Sequence, residues 1–310
     1  MKISVVIPSV NDLPELLETV KSVRETAPEV EIVVVDDCSA APVSIPREFG
    51  VIVHQNTYRI GSGASRHVGA QIATGDYMLM TDSHCRFEAG WADACYNAGL
   101  SAEHWKKEVV FCGICHGFTP TIPPFGRPSG VYYGANLQFV GHDLNQASRV
   151  QVLEGVWSGL RPDNCEISCM MGACYLVPRK RFLELGGMQH FRVWGCEEQM
   201  MSLKFWLSGG EVRLLHGLKT WHRFRDGEKM PFRLETWNII YNKLFIIYTI
   251  FPDDMAAHMI SRFPKGFDFN KATETIRRDW GLVEAEKARN KTLFTRDVQW
   301  MLNKFQIPLL

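Results

Sequence analysis

The sequence predicts an α/β fold, a mainly parallel sheet flanked by helices with a helical extension at the carboxyl terminus. Three observations predict it. Short unbroken apolar runs alternate with helical periodicity through the first third of the chain, the pattern of strands covered on both faces. Acidic and polar residues stand just after those runs, where parallel sheets take their ligands. Past Arg225 the pattern becomes helical throughout.

The elements follow in order. Ile3-Ser4-Val5-Val6-Ile7-Pro8 opens the chain as a strand. Residues Pro14 to Glu25 carry Leu16, Leu17, Val20 and Val23 at helical spacing, behind Asn11 or Asp12 as a cap. Glu31 to Val35 is a strand ending in Asp36-Asp37, Val51 to His54 another, and Gly63 to Ala73 a helix. Tyr77 to Met80 is the next strand, with Asp82-Ser83-His84 at its carboxyl end. Gly117 to Pro162 is rich in Gly and Pro and predicts long loops with an antiparallel region over the sheet. Gly172 to Val177 reads as a strand, Arg179 to Leu185 and Glu197 to Leu207 as helices ending in Gly pairs, and Glu211 to Leu215 as a strand. Arg233 to Ile247, Asn270 to Asp279 and Glu284 to Asn303 read as helices. The boundary falls near Arg225 to Arg233, giving a catalytic domain over 1–230 and a helical extension over 231–310 within reach of an acceptor.

Composition sets bounds. A chain of 310 residues, 46% apolar and 22% charged, buries a substantial core. Its 34 Lys and Arg balance 34 Asp and Glu, which gives no global drive toward nucleic acid or anionic membrane. The first strand starts at once, without the regions of a signal peptide, and Trp237 to Phe251 is too short and polar to span a bilayer. The expectation is a soluble, cytoplasmic protein. Nine scattered cysteines then stay reduced. Cys112-x-x-Cys115 with Cys165 and Cys169 has one pair at the wrong zinc spacing, and the first pair sits in an apolar run where Cys packs as a small hydrophobe.

The chemistry-bearing residues gather at the strand ends. Asp82 and His84 stand two apart in an extended segment, so their side chains point the same way and can grip one divalent cation. A surface turn is the plain alternative. Asp36 and Asp37 suit a base N–H or a ribose hydroxyl, or else a turn with Ser39. Pro8 ends the first strand beside them. Arg66 on the preceding helix suits a phosphate, or a solvated face. Trp194-Gly195-Cys196-Glu197 places Glu197 to receive a sugar hydroxyl, although acids at a helix start are also favoured by the dipole. Trp194 or Trp221 suits stacking on a sugar. His222 would complete a three-point cation site with Asp82 and His84, leaving positions open for diphosphate oxygens.

Together these segments resemble a known family. Val-Val-Asp-Asp-x-Ser, Gly-Ala-Ser-Arg and Ala-Thr-Gly ahead of Asp82-Ser83-His84-Cys85 resemble glycosyltransferases of the GT-A fold, family-2 type. Phe182…Leu185-Gly186-Gly187, Trp194-Gly195-x-Glu197, His222-x-Phe224-Arg225 and Arg233-x-Glu235-x-Trp237 resemble the catalytic domain of polypeptide N-acetylgalactosaminyltransferases. The resemblance covers about residues 2 to 245. It implies Mn²⁺ (or Mg²⁺) on Asp82, His84 and His222, and a UDP-sugar donor. Glu197 would meet the donor sugar, Asp36 or Asp37 the base, and Arg66 and Arg225 the rest of the donor. The implied reaction is metal-dependent hexosyl transfer to an acceptor hydroxyl with retention, Asp82 and Glu197 being the catalytic acids. Departures are Cys196 and Glu198 where the family has Gly and Asn, and a shorter segment from Arg225 to Arg233.

The acceptor stays open at this level: a protein, a small molecule, or DNA with hydroxymethylated bases. Residues 231–310 hold 12 Lys and Arg against 9 Asp and Glu, with Trp280, Trp300 and Arg277-Arg278, so a nucleic-acid contact competes with an ordinary helical cap. A phage-encoded chain would then work in the host cytoplasm. A non-catalytic nucleotide-sugar-binding module is the remaining alternative.

Overall fold

The computed structural model describes residues 1–119, 127–143, 146–225 and 230–308. Strands β1 (Ile3–Ser9), β2 (Glu31–Asp36), β3 (Val51–Gln55) and β4 (Tyr77–Thr81) form a parallel half-sheet in the order β3-β2-β1-β4. Helices α1 (Leu13–Thr26) and α2 (Ser62–Ile72) supply crossovers. Because strand side chains alternate, Val5 and Ile7 enter one core with Leu16 and Val20 of α1, while Val6 enters the other with Ala70 of α2. Apolar runs without alternation were the signal, and both faces are covered at β1, β2 and β4, whereas the edge strand β3 leaves Ile52 and Val53 exposed.

The other half-sheet is mixed. After β5 (Cys85–Phe87), α3 (Trp91–His104) and β6 (Val109–Thr119), the chain adds β7 (Arg127–Tyr132) to β6 and folds β8 (Ala135–Asp143) on β9 (Gln146–Trp157). Thus the antiparallel region expected in this stretch is present, and among the described residues strand takes more of it than the long loops expected beside it. Strand β10 (Cys174–Pro178) runs antiparallel to β4 and β6. Helices α4 (Arg179–Glu184) and α5 (Glu197–Leu207) precede β11 (Glu211–Arg223), which lies parallel to β6 and antiparallel to β5. Expected to stop at Leu215, β11 continues past an irregularity between Leu215 and Lys219 and so carries His222 into the sheet.

Helices α6 (Thr236–Ile250), α7 (Asp253–Ser261), α8 (Phe267–Arg278), α9 (Trp280–Leu293) and α10 (Val298–Phe305) follow. The single helix expected over 284–303 is divided, because Asp297 caps a new one by accepting from the Trp300 amide at 2.7 Å. Leu244, Phe245, Ile276, Val283 and Met301 belong to the same core cluster as the α2 face of the sheet. No helix among the described residues is long and apolar enough to cross a membrane. Cys112, Cys115 and Cys169 are buried as free thiols.

One ion pair ties the last helices to this core. Lys204 of α5 and Glu286 of α9 are fully buried and paired, Lys204 also donates to the Leu185 carbonyl at 2.5 Å, and Arg289 donates to Glu286 at 2.6 Å. Removing one partner strands the other charge without water. Glu286→Ala should therefore lower stability by about 3–5 kcal/mol; a urea midpoint equal to that of the parent chain would show the pair to be dispensable.

Candidate active site

A cavity of about 320 Å³ opens beyond the carboxyl ends of β1 and β4. Pro8, at the end of β1, forms part of its wall, with Asp37, Asp82, His84 and His222. Asp82 leaves the sheet just after β4, its amide held by the Ala173 carbonyl at 3.2 Å. His84 lies two residues on. Although 138 residues later, His222 is brought beside them because β11 pairs with β5, His222 opposite Cys85. The Arg223 amide donates to the His84 carbonyl at 3.1 Å and locks that register.

The three side chains converge. Nε2 of His84 lies 3.1 Å from Nε2 of His222, and Nε2 of His222 lies 3.4 Å from Oδ2 of Asp82. One ligand atom from each falls within 4.8 Å of the others. Oδ1 of Asp82 accepts from Arg66 at 2.5 Å, so the two carboxylate oxygens face different partners. Burial would raise the Asp82 carboxyl, but the His222 hydrogen bond and the Arg66 charge outweigh it and hold it at about 2. Burial pushes His222 below the ordinary imidazole value. A carboxylate and a neutral imidazole are the forms that ligate a divalent ion. The donor set therefore fits Mn²⁺ or Mg²⁺, with two imidazoles favouring the former.

Other residues expected at the site have more specific surroundings than the sequence suggested. Arg66 is buried against Asp82 and also donates to the Gly172 carbonyl at 3.3 Å, so it holds the Asp82 carboxylate in place. Asp37 lines the cavity, but its oxygens accept from the amides of Ile60 and Gly61 at 2.8 Å and from Asn56 at 3.0 Å. It organises the loop before α2. Asp36 accepts from the Ser39 amide at 3.0 Å while its other oxygen is buried without a partner. Arg225 lines the cavity and donates to Asp12 at 2.5 Å. Trp194 stands at the rim, 43% exposed. Trp221 points elsewhere, stacked on His116 and donating to Glu88 at 2.7 Å. The aromatic wall instead comes from Trp157 of β9, with ring centroids 5.6 Å from Phe224 and 6.1 Å from His222. Nothing in the Gly- and Pro-rich stretch singled Trp157 out.

Asp12 was also missed. Its Oδ2 accepts from Ser83 at 3.1 Å and from Arg225, and lies 3.6 Å from Nδ1 of His84. The sequence offered it only as a helix cap, and its side chain makes no cap bond. Glu197 is buried, accepts from the Ser62 hydroxyl, and packs under Gly63. The neighbouring Glu198 forms the cavity wall. Val193, Gly195 and Cys196 all hold positive φ (52°, 103° and 72°), so the loop that launches α5 turns sharply even where Cys replaces Gly.

Similarity to known proteins agrees with this geometry. Residues 4–99 match the family model described as glycosyl transferase family 2. Polypeptide N-acetylgalactosaminyltransferase 8 of Drosophila melanogaster is 27% identical over 223 residues, covering 68% of this chain and 36% of that protein. The human polypeptide N-acetylgalactosaminyltransferase 10 is 23% identical over 318 residues, covering 99% of this chain and 51% of that protein. A crystal structure of GalNAc-T7 with UDP, GalNAc and Mn²⁺ superposes with a TM-score of 0.72 at 20% identity, over 98% of this chain and 57% of that one. The chain has the GT-A fold of these glycosyltransferases and carries a family-2 match over residues 4–99. It resembles the polypeptide N-acetylgalactosaminyltransferases and spans about half their length or less. The GT-A fold is shared more distantly with S. aureus TarS 1-349 in complex with UDP-GlcNAc, with a TM-score of 0.51 at 16% identity, over 84% of this chain and 70% of that one.

The loop before α2 meets the loop before α5 through Gly61, whose φ is +99° and whose added Cβ would lie 2.5 Å from the Val193 backbone. Gly61→Ala combines a strained φ with a backbone clash and should cost about 1–3 kcal/mol. Thermal unfolding measures it, and an unchanged midpoint would mean the two loops are not held together there.

Proposed function

We propose that the chain transfers a hexosyl group from a UDP-sugar to an acceptor hydroxyl, using a divalent cation held by Asp82, His84 and His222. The observation that carries this reading is the convergence of those three ligand atoms at the carboxyl end of β4 in a GT-A fold. The names of the relatives and the UDP-bound state of the structural neighbours support the donor class. When bound, such a cation supplies Lewis-acid neutralisation of the diphosphate leaving group.

In the reaction the acceptor oxygen bonds to the anomeric carbon as that carbon's bond to phosphate oxygen breaks. The acceptor proton passes to the leaving phosphate oxygen. This balances without a protein nucleophile and delivers the sugar on the face that the phosphate leaves, with retention. Arg66 fixes one oxygen of Asp82 and thereby aims the other. Asp12 holds Arg225 at the cavity, where a cationic side chain favours the diphosphate. Trp157 and Phe224 form an apolar wall that excludes water from the reacting bond. Asp36 or Asp37 remains the base-side acid of this reading.

A polypeptide hydroxyl is the favoured acceptor, as the relatives' names suggest. A hydroxymethylated DNA base is the second reading; at Trp300 the nearby Arg296 and Lys304 already stack on the ring, and Lys304 pairs with Glu166 at 2.8 Å. UDP release from UDP-sugars with Mn²⁺, with and without Ser/Thr peptides or hydroxymethylated DNA, tests this order directly.

Asp82→Asn and His222→Ala should each reduce UDP release by about 100-fold or more, since each removes charge stabilisation at the leaving group. Normal turnover in both variants would remove the cation from the mechanism. EDTA should silence the parent chain and added Mn²⁺ restore it; turnover indifferent to chelation would lead to the same rejection.

A further inference from the structure

Cys165 and His216 meet in a second cluster, and neither lines the cavity of the cation site. The register of β11 on β6 breaks between Leu215 and Lys219, and His216 stands in that break. The chain ahead of β10 lies antiparallel to β11 there. The Leu214 amide donates to the Cys165 carbonyl at 2.7 Å, and the Ile167 amide to the Val212 carbonyl at 3.1 Å. These bonds hold Cys165 at a φ of +62°, which residues with a side chain rarely adopt. Its Sγ then lies 3.3 Å from Nε2 of His216. A guanidinium nitrogen of Arg161 lies 3.1 Å from the same Nε2. Because a guanidinium can only donate, Nε2 faces both partners with its lone pair, and the imidazole carries its proton on Nδ1. Burial first, and then the Arg161 charge, hold His216 below the ordinary imidazole value and keep it a neutral base. Cys165 and His216 are half-buried and Arg161 is exposed, the partly open, electropositive setting of reactive thiols.

We infer that Cys165 is a modification site, where its sulfur enters thiol–disulfide exchange with a small anionic disulfide. The inference is independent of the nucleotide-sugar reading. The Cys165 proton passes to Nε2 of His216 as the sulfur attacks one sulfur of the disulfide. A new S–S bond forms while the old one breaks, and the leaving thiolate takes the proton back from His216. Cys165 is thereby oxidised to a mixed disulfide, and the other half of the small disulfide is reduced to a thiol. Arg161 favours a partner that carries carboxylates. The other thiols lack this setting. Of the nine free cysteines seven are buried, and burial pushes Cys85 and Cys112 up to about 12. Cys38 is exposed, but the group 3.9 Å from its sulfur is the Thr57 carbonyl, which cannot take a thiol proton.

Exchange on the full chain at neutral pH tests this, with oxidised glutathione as the anionic disulfide and cystamine as the cationic one. Peptide mass mapping follows each thiol, and every rate is taken relative to Cys38 in the same sample. In the parent chain Cys165 should form its mixed disulfide with oxidised glutathione about tenfold faster than Cys38 does. His216→Gln and His216→Asn should each bring Cys165 down to the Cys38 rate. Arg161→Gln should slow oxidised glutathione at Cys165 more than it slows cystamine. A Cys165 rate no greater than that of Cys38 in the parent chain overturns the inference, as does a Cys165 rate unchanged by both His216 substitutions. Equal slowing of the two disulfides in Arg161→Gln overturns the choice of an anionic partner.

Discussion

The pairing of β11 with β5 is the constraint on which the site depends. His222 lies opposite Cys85, one residue beyond His84, so two imidazoles far apart in sequence meet with ring nitrogens 3.1 Å apart. A slip of one residue would send His222 to the other face of the sheet. The Arg223 amide bond to the His84 carbonyl, and the long parallel pairing of β11 with β6, hold that register. The mixed half of the sheet thus brings one imidazole to the end of the parallel half.

Charge within the cluster is divided with economy. One oxygen of Asp82 is committed to Arg66 and the other faces the two histidines. A buried guanidinium this close would oppose an added cation if it competed for the same oxygen. Splitting the carboxylate lets Arg66 orient it and leaves the other oxygen facing the two histidines. At the start of α5 the two acids are engaged differently, Glu197 by the Ser62 hydroxyl and Glu198 by its own backbone amide. Asp37 is the contrasting case, an acid at a strand end whose oxygens are taken up by the Ile60 and Gly61 amides.

The parallel half-sheet and the residues at its ends were legible in the sequence because unbroken apolar runs and period-two spacing are local signals. Asp82 and His84 could be paired by that spacing alone. His222 could be proposed as their partner only as a third ligand type of suitable chemistry, since the strand that carries it continues through an irregularity that breaks its pattern. Trp157 and Asp12 were not legible: one lies in a stretch whose Gly and Pro content hides its strands, and the other resembles a helix cap. The sharp turn ahead of α5 was not legible either, since no residue type at 193 or 196 announces the positive φ found there. Division of the last helix by Asp297 was readable in principle, as Asp three residues before Trp300 is a capping position.

A crystal structure of the chain grown with UDP and Mn²⁺, with data collected near the manganese absorption edge, tests the central claim most directly. The account predicts one strong anomalous peak bounded by Asp82, His84 and His222, with diphosphate oxygens completing its coordination. A peak elsewhere, or UDP bound with no manganese between those three side chains, would contradict it.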